Sequence, residues 1–153
     1  MGKLRVHYGA WVLIGDGKKA LLLHNDGDAE LLNLRRIEVR EQDNPATRDQ
    51  GADAPGRAVG SGIGTRQGSV SQTDWHQIEE DRFAATIAAE LNQAAQDNAF
   101  KEVIIVAPPK ALAEIRRDLS GEAQRRVKGE IPKDLTHHPI PEIEKLLPTY
   151  EVA

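Results

Sequence analysis

The densest group of side chains able to do chemistry in this sequence is Lys133-Asp134-Leu135-Thr136-His137-His138. A carboxylate and two imidazoles are donors that a borderline metal ion takes, and from a loop Asp134, His137 and His138 would offer three ligands. Against that, residues adjacent in sequence seldom supply a whole coordination shell. The competing reading is helix-start chemistry, with Thr136 or His138 near an N-cap and Asp134 accepting backbone amides or pairing with a lysine. That second reading is the expectation, so neither a metal nor a cofactor is predicted. A two-metal nuclease needs a cluster of carboxylates around ions ~4 Å apart, and the apolar runs Trp11 to Ile14 and Val103 to Val106 hold none. Asp16 lies at a turn and Asp134 beyond the last strand, so such a site would have to be assembled from strand ends. A metal-dependent hydrolase is the most distant of the readings.

Two other groups bear on partners. Gly60 to Gly68 contains Gly64-Thr65-Arg66-Gln67-Gly68, a finger in which Arg57 and Arg66 would neutralise phosphate and Gln67 would be the tip side chain and the single weak catalytic candidate. The ordinary reading is an unstructured insertion, and Asp43, Asp49 and Asp53 in its first half oppose RNA. Lys110, Arg116, Arg117, Arg125 and Arg126, with Lys128, give the segment after residue 106 a basic character inside an acidic chain. Converging on one face they would be an electrostatic footprint for RNA or an acidic partner. The plainer expectation is solvated helix surface paired with Glu114, Asp118 and Glu122. Gly15-Asp16-Gly17-Lys18-Lys19 has the donors of a phosphate cradle, yet Asp-Gly is foremost a hairpin-tip signal. Trp11 and Trp75 are expected to be buried or to anchor the loop's end, whereas an exposed Trp75 would suggest base stacking or a protein contact. His7, His24 and His76 are single and widely spaced, and carry no argument.

The elements that must position these residues follow from apolar periodicity. Val103-Ile104-Ile105-Val106 is an unbroken β-branched run between two helical patterns, as a strand buried on both faces reads. Ala107-Pro108-Pro109 stops its ladder and pre-sets a helix from near Lys110. Ligands of open α/β sheets gather at the carboxyl ends of such strands, which directs attention to Pro108. Ala10 to Ile14, Ala20 to His24 and Glu30 to Arg40 form an antiparallel meander, with Leu32, Leu34, Ile37 and Val39 alternating apart from a slip at Arg35-Arg36 that a bulge would explain. Residues 41–73 carry six glycines between Gly51 and Gly68 and read as a long flexible loop. Asp74 and Gln77 match a capping signature for a long helix whose stripe is Phe83, Ala84, Ile87, Ala88, Leu91, Ala94 and Ala95. A fifth, more exposed strand covers Val127 to Ile131, and Pro139 or Pro141 opens a last helix with Ile143, Leu146 and Leu147. The predicted fold class is α/β: a ribonuclease H-like three-layer mixed sheet of about five strands, three antiparallel and then two parallel with right-handed crossover helices.

Length and composition bound the rest. With 153 residues, 1–153 reads as a single domain. A net charge of −4 gives no global attraction to nucleic acid. The absence of cysteine excludes disulfides and thiolate chemistry, and MGKLRVHYG has no apolar run of signal-peptide length, so a cytoplasmic location is expected. No stretch approaches the ~20 apolar residues of a membrane span. No membrane contact is expected, and the sequence leaves the oligomeric state open.

Trp11-Val12-Leu13-Ile14 with the Asp16-Gly17 turn, Glu80-Asp81-Arg82-Phe83-Ala84, Val106-Ala107-Pro108-Pro109-Lys110-Ala111-Leu112 and Lys133-Asp134-Leu135-Thr136 together resemble the bacterial host attachment proteins, relatives of the middle domain of archaeo-eukaryotic translation release factors. The pieces span nearly the whole chain, and their order and spacing carry the match. The resemblance marks Asp16, Arg82, Pro108, Pro109, Lys133, Asp134 and Thr136 as family positions. It implies a cytoplasmic role near the ribosome, with ribosomal or transfer RNA as partner, and by name a link to attachment to host cells. In release factors a Gly-Gly-Gln loop ahead of the long helix helps water attack the peptidyl-tRNA ester. Here the glycine-rich loop stands in that place without Gly-Gly-Gln, so the resemblance implies a module that does not release peptide, since presenting the glutamine depends on both glycines. The alternative is a non-catalytic adaptor whose loop binds a protein.

Overall fold

A computed structural model describes residues 2–42 and 75–152. The expected cap at Asp74, and Arg57, Arg66 and Gln67, lie outside the described residues. Its elements are strands β1 (Gly2–Lys3), β2 (Trp11–Gly15), β3 (Lys19–Asn25) and β4 (Leu34–Glu41), helix α1 (75–96), strand β5 (Val103–Val106), helices α2 (Pro109–Arg117) and α3 (Gly121–Arg125), strand β6 (Val127–Ile131), helix α4 (Ile140–Leu146) with a 3-10 turn at Leu147–Thr149, and strand β7 (Glu151–Val152).

The main sheet runs β4-β3-β2-β5-β6. β2 pairs antiparallel with β3, and β3 with β4, while β5 is parallel to both β2 and β6. The fold is thus the expected α/β arrangement with a five-stranded mixed sheet, in which β5 lies beside β2, the first strand of the meander, and β6 lies beside β5. All four residues of β5 are buried, because both faces of the sheet are covered. Alternation along the strands sends Leu13, Leu22, Val103 and Ile105 to one face, where they meet Phe83, Ile87 and Leu91 of α1 and Leu112 and Ile115 of α2. Val12, Ile14, Ile104, Val106 and Ile131 point to the other, against Leu4, Val6, Leu135, Ile143 and Leu147. Those two apolar layers are the core.

The meander departs from simple alternation at its outer strand. Leu22 stands opposite Glu38 and Leu23 opposite Arg36, so Ile37 is the extra residue of a bulge. The apolar residues of the alternating pattern are not all buried: Ile37 and Val39 are 40% and 37% exposed, because β4 forms the sheet margin and only Leu34 of that strand is buried. The turn before it is fixed by Asn25, which is fully buried. Its Nδ2 donates to the carbonyls of Val6 (2.8 Å) and His7 (3.2 Å), and its Oδ1 accepts from the amides of Gly27 and Asn33, both at 3.0 Å. Gly27 has no alternative, since a Cβ there would stand 2.1 Å from the Leu31 carbonyl oxygen.

β5 ends where proline removes the next donor, and Pro108 is the N-cap of α2 with Pro109 in its first turn. α3 is capped by Ser120, whose hydroxyl accepts the Ala123 amide at 3.1 Å. α4 starts after Pro139 without a side-chain cap, so neither Thr136 nor His138 serves as the N-cap. β1 and β7 pair antiparallel as a separate two-stranded ribbon. Among the described residues, no helix is long and apolar enough to cross a membrane.

Candidate functional site

Because β2, β5 and β6 are parallel neighbours, the segments leaving their carboxyl ends share one edge of the sheet. From β2 comes the Asp16-Gly17 turn, from β5 Pro108 and the start of α2, and from β6 the loop holding Asp134 to His138. In open sheets this is the edge where ligands gather.

Asp16 does two jobs there. Its Oδ1 accepts the amides of Lys18 and Lys19, both at 2.7 Å, which closes the hairpin turn. Its Oδ2 faces the Thr136 hydroxyl at 3.2 Å. Thr136 is itself buried, and its hydroxyl stands 2.6 Å from Asp134 Oδ1, which also accepts the Thr136 amide at 3.0 Å. One oxygen of each carboxylate is thereby held by the chain. Burial raises the Asp134 carboxyl, but the two hydrogen bonds from Thr136, with a coulombic contribution from the nearby His137 and His138, outweigh it, leaving Asp134 below the ordinary aspartate range. One donor atom from each of Asp16, Asp134 and His137 lies within 4.8 Å of the others.

Of the three residues weighed as weak metal candidates from sequence, the structure brings Asp134 and His137 together but not His138. His138 turns away to Glu142, 3.0 Å from its Nδ1, and Asp16 takes the place beside Asp134 and His137. The signal for Asp16 was its position one residue beyond a strand that adjoins β5, which needs the sheet order to interpret.

On the other side of the same turn, a Cβ on Gly17 would come within 3.0 Å of Glu80 Oε2, so the hairpin tip rests on α1. Lys110 Nζ donates to Gln77 Oε1 at 2.6 Å and lies 3.3 Å from Glu80 Oε1. Gln77 in turn donates to Glu114 at 2.9 Å. Burial is the main force holding the Glu114 carboxyl above its ordinary value; the Gln77 bond opposes it, while Asp81 and Glu80 reinforce it.

The remaining basic candidates are paired. Arg116 makes a two-pronged contact with Glu130, Arg117 reaches Asp81 at 3.5 Å, and Arg125 and Arg126 share Glu122 at 2.7 and 2.8 Å. Of the expected partners only Glu122 serves; Glu114 faces Gln77 instead. Arg126 also donates to the Phe100 carbonyl and to Asn98, tying α3 to the entry of β5. Trp75 is 36% exposed, with the Arg82 guanidinium 5.8 Å from its ring centroid, and Arg82 also meets Glu79. Trp11 is half-buried against Phe100. Lys133 is exposed at the start of the Asp134 loop. At the opposite, amino edge of the sheet, a cavity of about 590 Å³ is lined by His7, Tyr8, His24 and Glu102 among others, with His7 Nδ1 2.8 Å from Glu102.

A three-layer α/β domain with a polar cluster at the carboxyl edge of its parallel strands defines the class of protein. Over residues 9–147 the chain matches Bacterial archaeo-eukaryotic release factor family 12, and it belongs to that family. It is also 32% identical over 75 residues to RP470, an uncharacterized protein of Rickettsia prowazekii (strain Madrid E); the match covers 48% of this chain and 50% of the relative. The chain thus spans about half the length of that curated relative.

Proposed function

We propose that this chain is a release-factor-like module that binds RNA of the ribosome in the cytoplasm and does not release peptide. Membership of the release-factor family across nearly the whole chain is the observation that carries the reading. The sequence ahead of α1 has Gly64-Thr65-Arg66-Gln67-Gly68 in place of Gly-Gly-Gln, which supports the second half of the proposal. In this reading Arg57 and Arg66 make the first phosphate contacts, because the bases of α2 and α3 already face carboxylates. Such exposed pairs are worth about 0 to 1 kcal/mol, so RNA phosphate can displace them once docked, but they add little attraction at a distance.

A second reading is a protein-binding adaptor, favoured by the exposure of Trp75 and Ile78 on the first turn of α1. Any role in attachment to host cells would then be indirect, through the partner. Sedimentation with ribosomes separates the two. The first reading expects association that weakens with salt and is lost in an Arg57→Ala/Arg66→Ala variant, with no hydrolysis of peptidyl-tRNA. A ribosome-free complex, insensitive to that variant, would favour the adaptor.

A further inference from the structure

We infer that Asp16, Asp134 and His137 form a binding site for one divalent transition-metal ion, with Thr136 as its positioning residue. The inference does not rest on the translational reading. The three donors are two carboxylates and an imidazole from segments far apart in the chain, so the objection that sequence neighbours seldom complete a shell falls away once Asp16 joins. Donor atoms about 2.1 Å from one ion stand about 3 to 4.2 Å apart, while these three lie within 4.8 Å of one another. The triangle has to tighten by about 1 Å, which the exposed side chains of Asp134 and His137 can do by small torsional changes.

Charge points the same way. Among the described residues, Glu80, Asp81, Glu90, Glu102, Glu122 and Glu130 each have a lysine or arginine partner. No lysine or arginine among them stands within ion-pair distance of Asp16 or Asp134, and the two carboxylates face each other across one hydroxyl, whose single hydrogen can serve only one of them. Neither carboxylate has a lysine or arginine partner of its own, and a bound cation would supply that charge directly. The imidazole selects among cations: Mg²⁺ and Ca²⁺ take oxygen shells, whereas mixed oxygen and nitrogen donors suit Mn²⁺, Fe²⁺ or Zn²⁺. Three protein donors leave positions open to solvent, where water or a phosphate oxygen would bind. Thr136 holds Asp134 through its Oδ1, as outer-shell partners of metal ligands do.

Calorimetric titration of the tag-free chain with Zn²⁺, Mn²⁺ and Mg²⁺ chlorides, each alone, tests the site. One Zn²⁺ or Mn²⁺ per chain is expected, raising the thermal midpoint. Asp16→Asn, which keeps an acceptor for the Lys18 and Lys19 amides, is expected to weaken binding at least about 100-fold, as are Asp134→Asn and His137→Ala. Thr136→Val should cost about 10- to 100-fold, and His138→Ala should change nothing. Metal-free melting of each variant separates lost binding from lost folding, and broadening of the His137 ring signals by Mn²⁺ provides a readout in wild type. No saturable binding, binding unchanged in His137→Ala, binding lost in His138→Ala, or preference for Mg²⁺ would each overturn the assignment.

Discussion

Asn25 shows how a single buried amide can pin the backbone of segments distant in sequence. Its side chain serves the carbonyls before β2 and the amides of the turn before β4, so removing it strands several buried groups without water to replace it. Asn25→Ala is expected to cost about 2 to 4 kcal/mol in urea unfolding, whereas Lys18→Ala, on the exposed hairpin tip, should stay within about 0.5 kcal/mol. Glu114 is the opposite case, a buried group that burdens the fold when charged. Burial first, then Asp81 and Glu80, raise its carboxyl above 4.5 against the pull of the Gln77 amide. A folded-state value above the unfolded one gives a contribution fully present below about pH 4.5 and lost as pH climbs through the folded value. Glu114→Gln should therefore gain on wild type in thermal midpoint between about pH 4 and 8, the gap widening and then levelling; a gap that ignores pH would contradict the assignment. At this scale the sequence revealed kinds of residue but not company. Asp134 and Thr136 were readable as polar chemistry, and the bonding of Asp134 to a backbone amide was anticipated. That Asp16 stands beside them depends on which strand neighbours which.

Among the elements, β5 is the one whose environment is most demanding, because each of its side chains enters one of the two apolar layers. Ile105→Ala leaves a void between the sheet and the helices α1 and α2, and is expected to lower stability by about 2 to 5 kcal/mol. Ile37→Ala, the same kind of truncation on the bulge of β4, should cost under about 1 kcal/mol because that side chain is already half in water. Urea midpoints of the two variants check the contrast. The pair also marks what periodicity could disclose. A continuous β-branched run between helical patterns announced β5, and Pro108-Pro109 announced the start of α2, since both signals are local. The alternation in β4 identified a strand but not which of its apolar residues are buried, and an edge strand with a bulge has nothing to bury Ile37 and Val39 against. β1 and β7, two residues each, are too short for any period to register.

Viewed as a whole, the molecule has balanced its charges locally: an acidic net charge, yet guanidinium groups on α2 and α3 that each touch a carboxylate. Its field therefore gives RNA little long-range pull, and the proposed RNA affinity would have to come from a small number of direct phosphate contacts. Salt dependence counts them, because each phosphate neutralised releases condensed counterions and contributes about −0.7 to −0.9 to the slope of log affinity against log salt. If Arg57 and Arg66 alone engage RNA, the slope for ribosome binding should be about −1.4 to −1.8, and the double alanine variant should bring it close to zero. If docking also breaks the pairs of Lys110, Arg116, Arg117, Arg125 and Arg126, seven contacts would steepen it to about −5 or beyond, and Glu122→Gln and Glu130→Gln, by releasing their arginines, would tighten binding at low salt. Sedimentation across a graded series of NaCl concentrations measures that slope directly. A slope near zero for wild type would mean that phosphate is not the ligand, and would move the weight to the exposed Trp75 and Ile78 face and a protein partner.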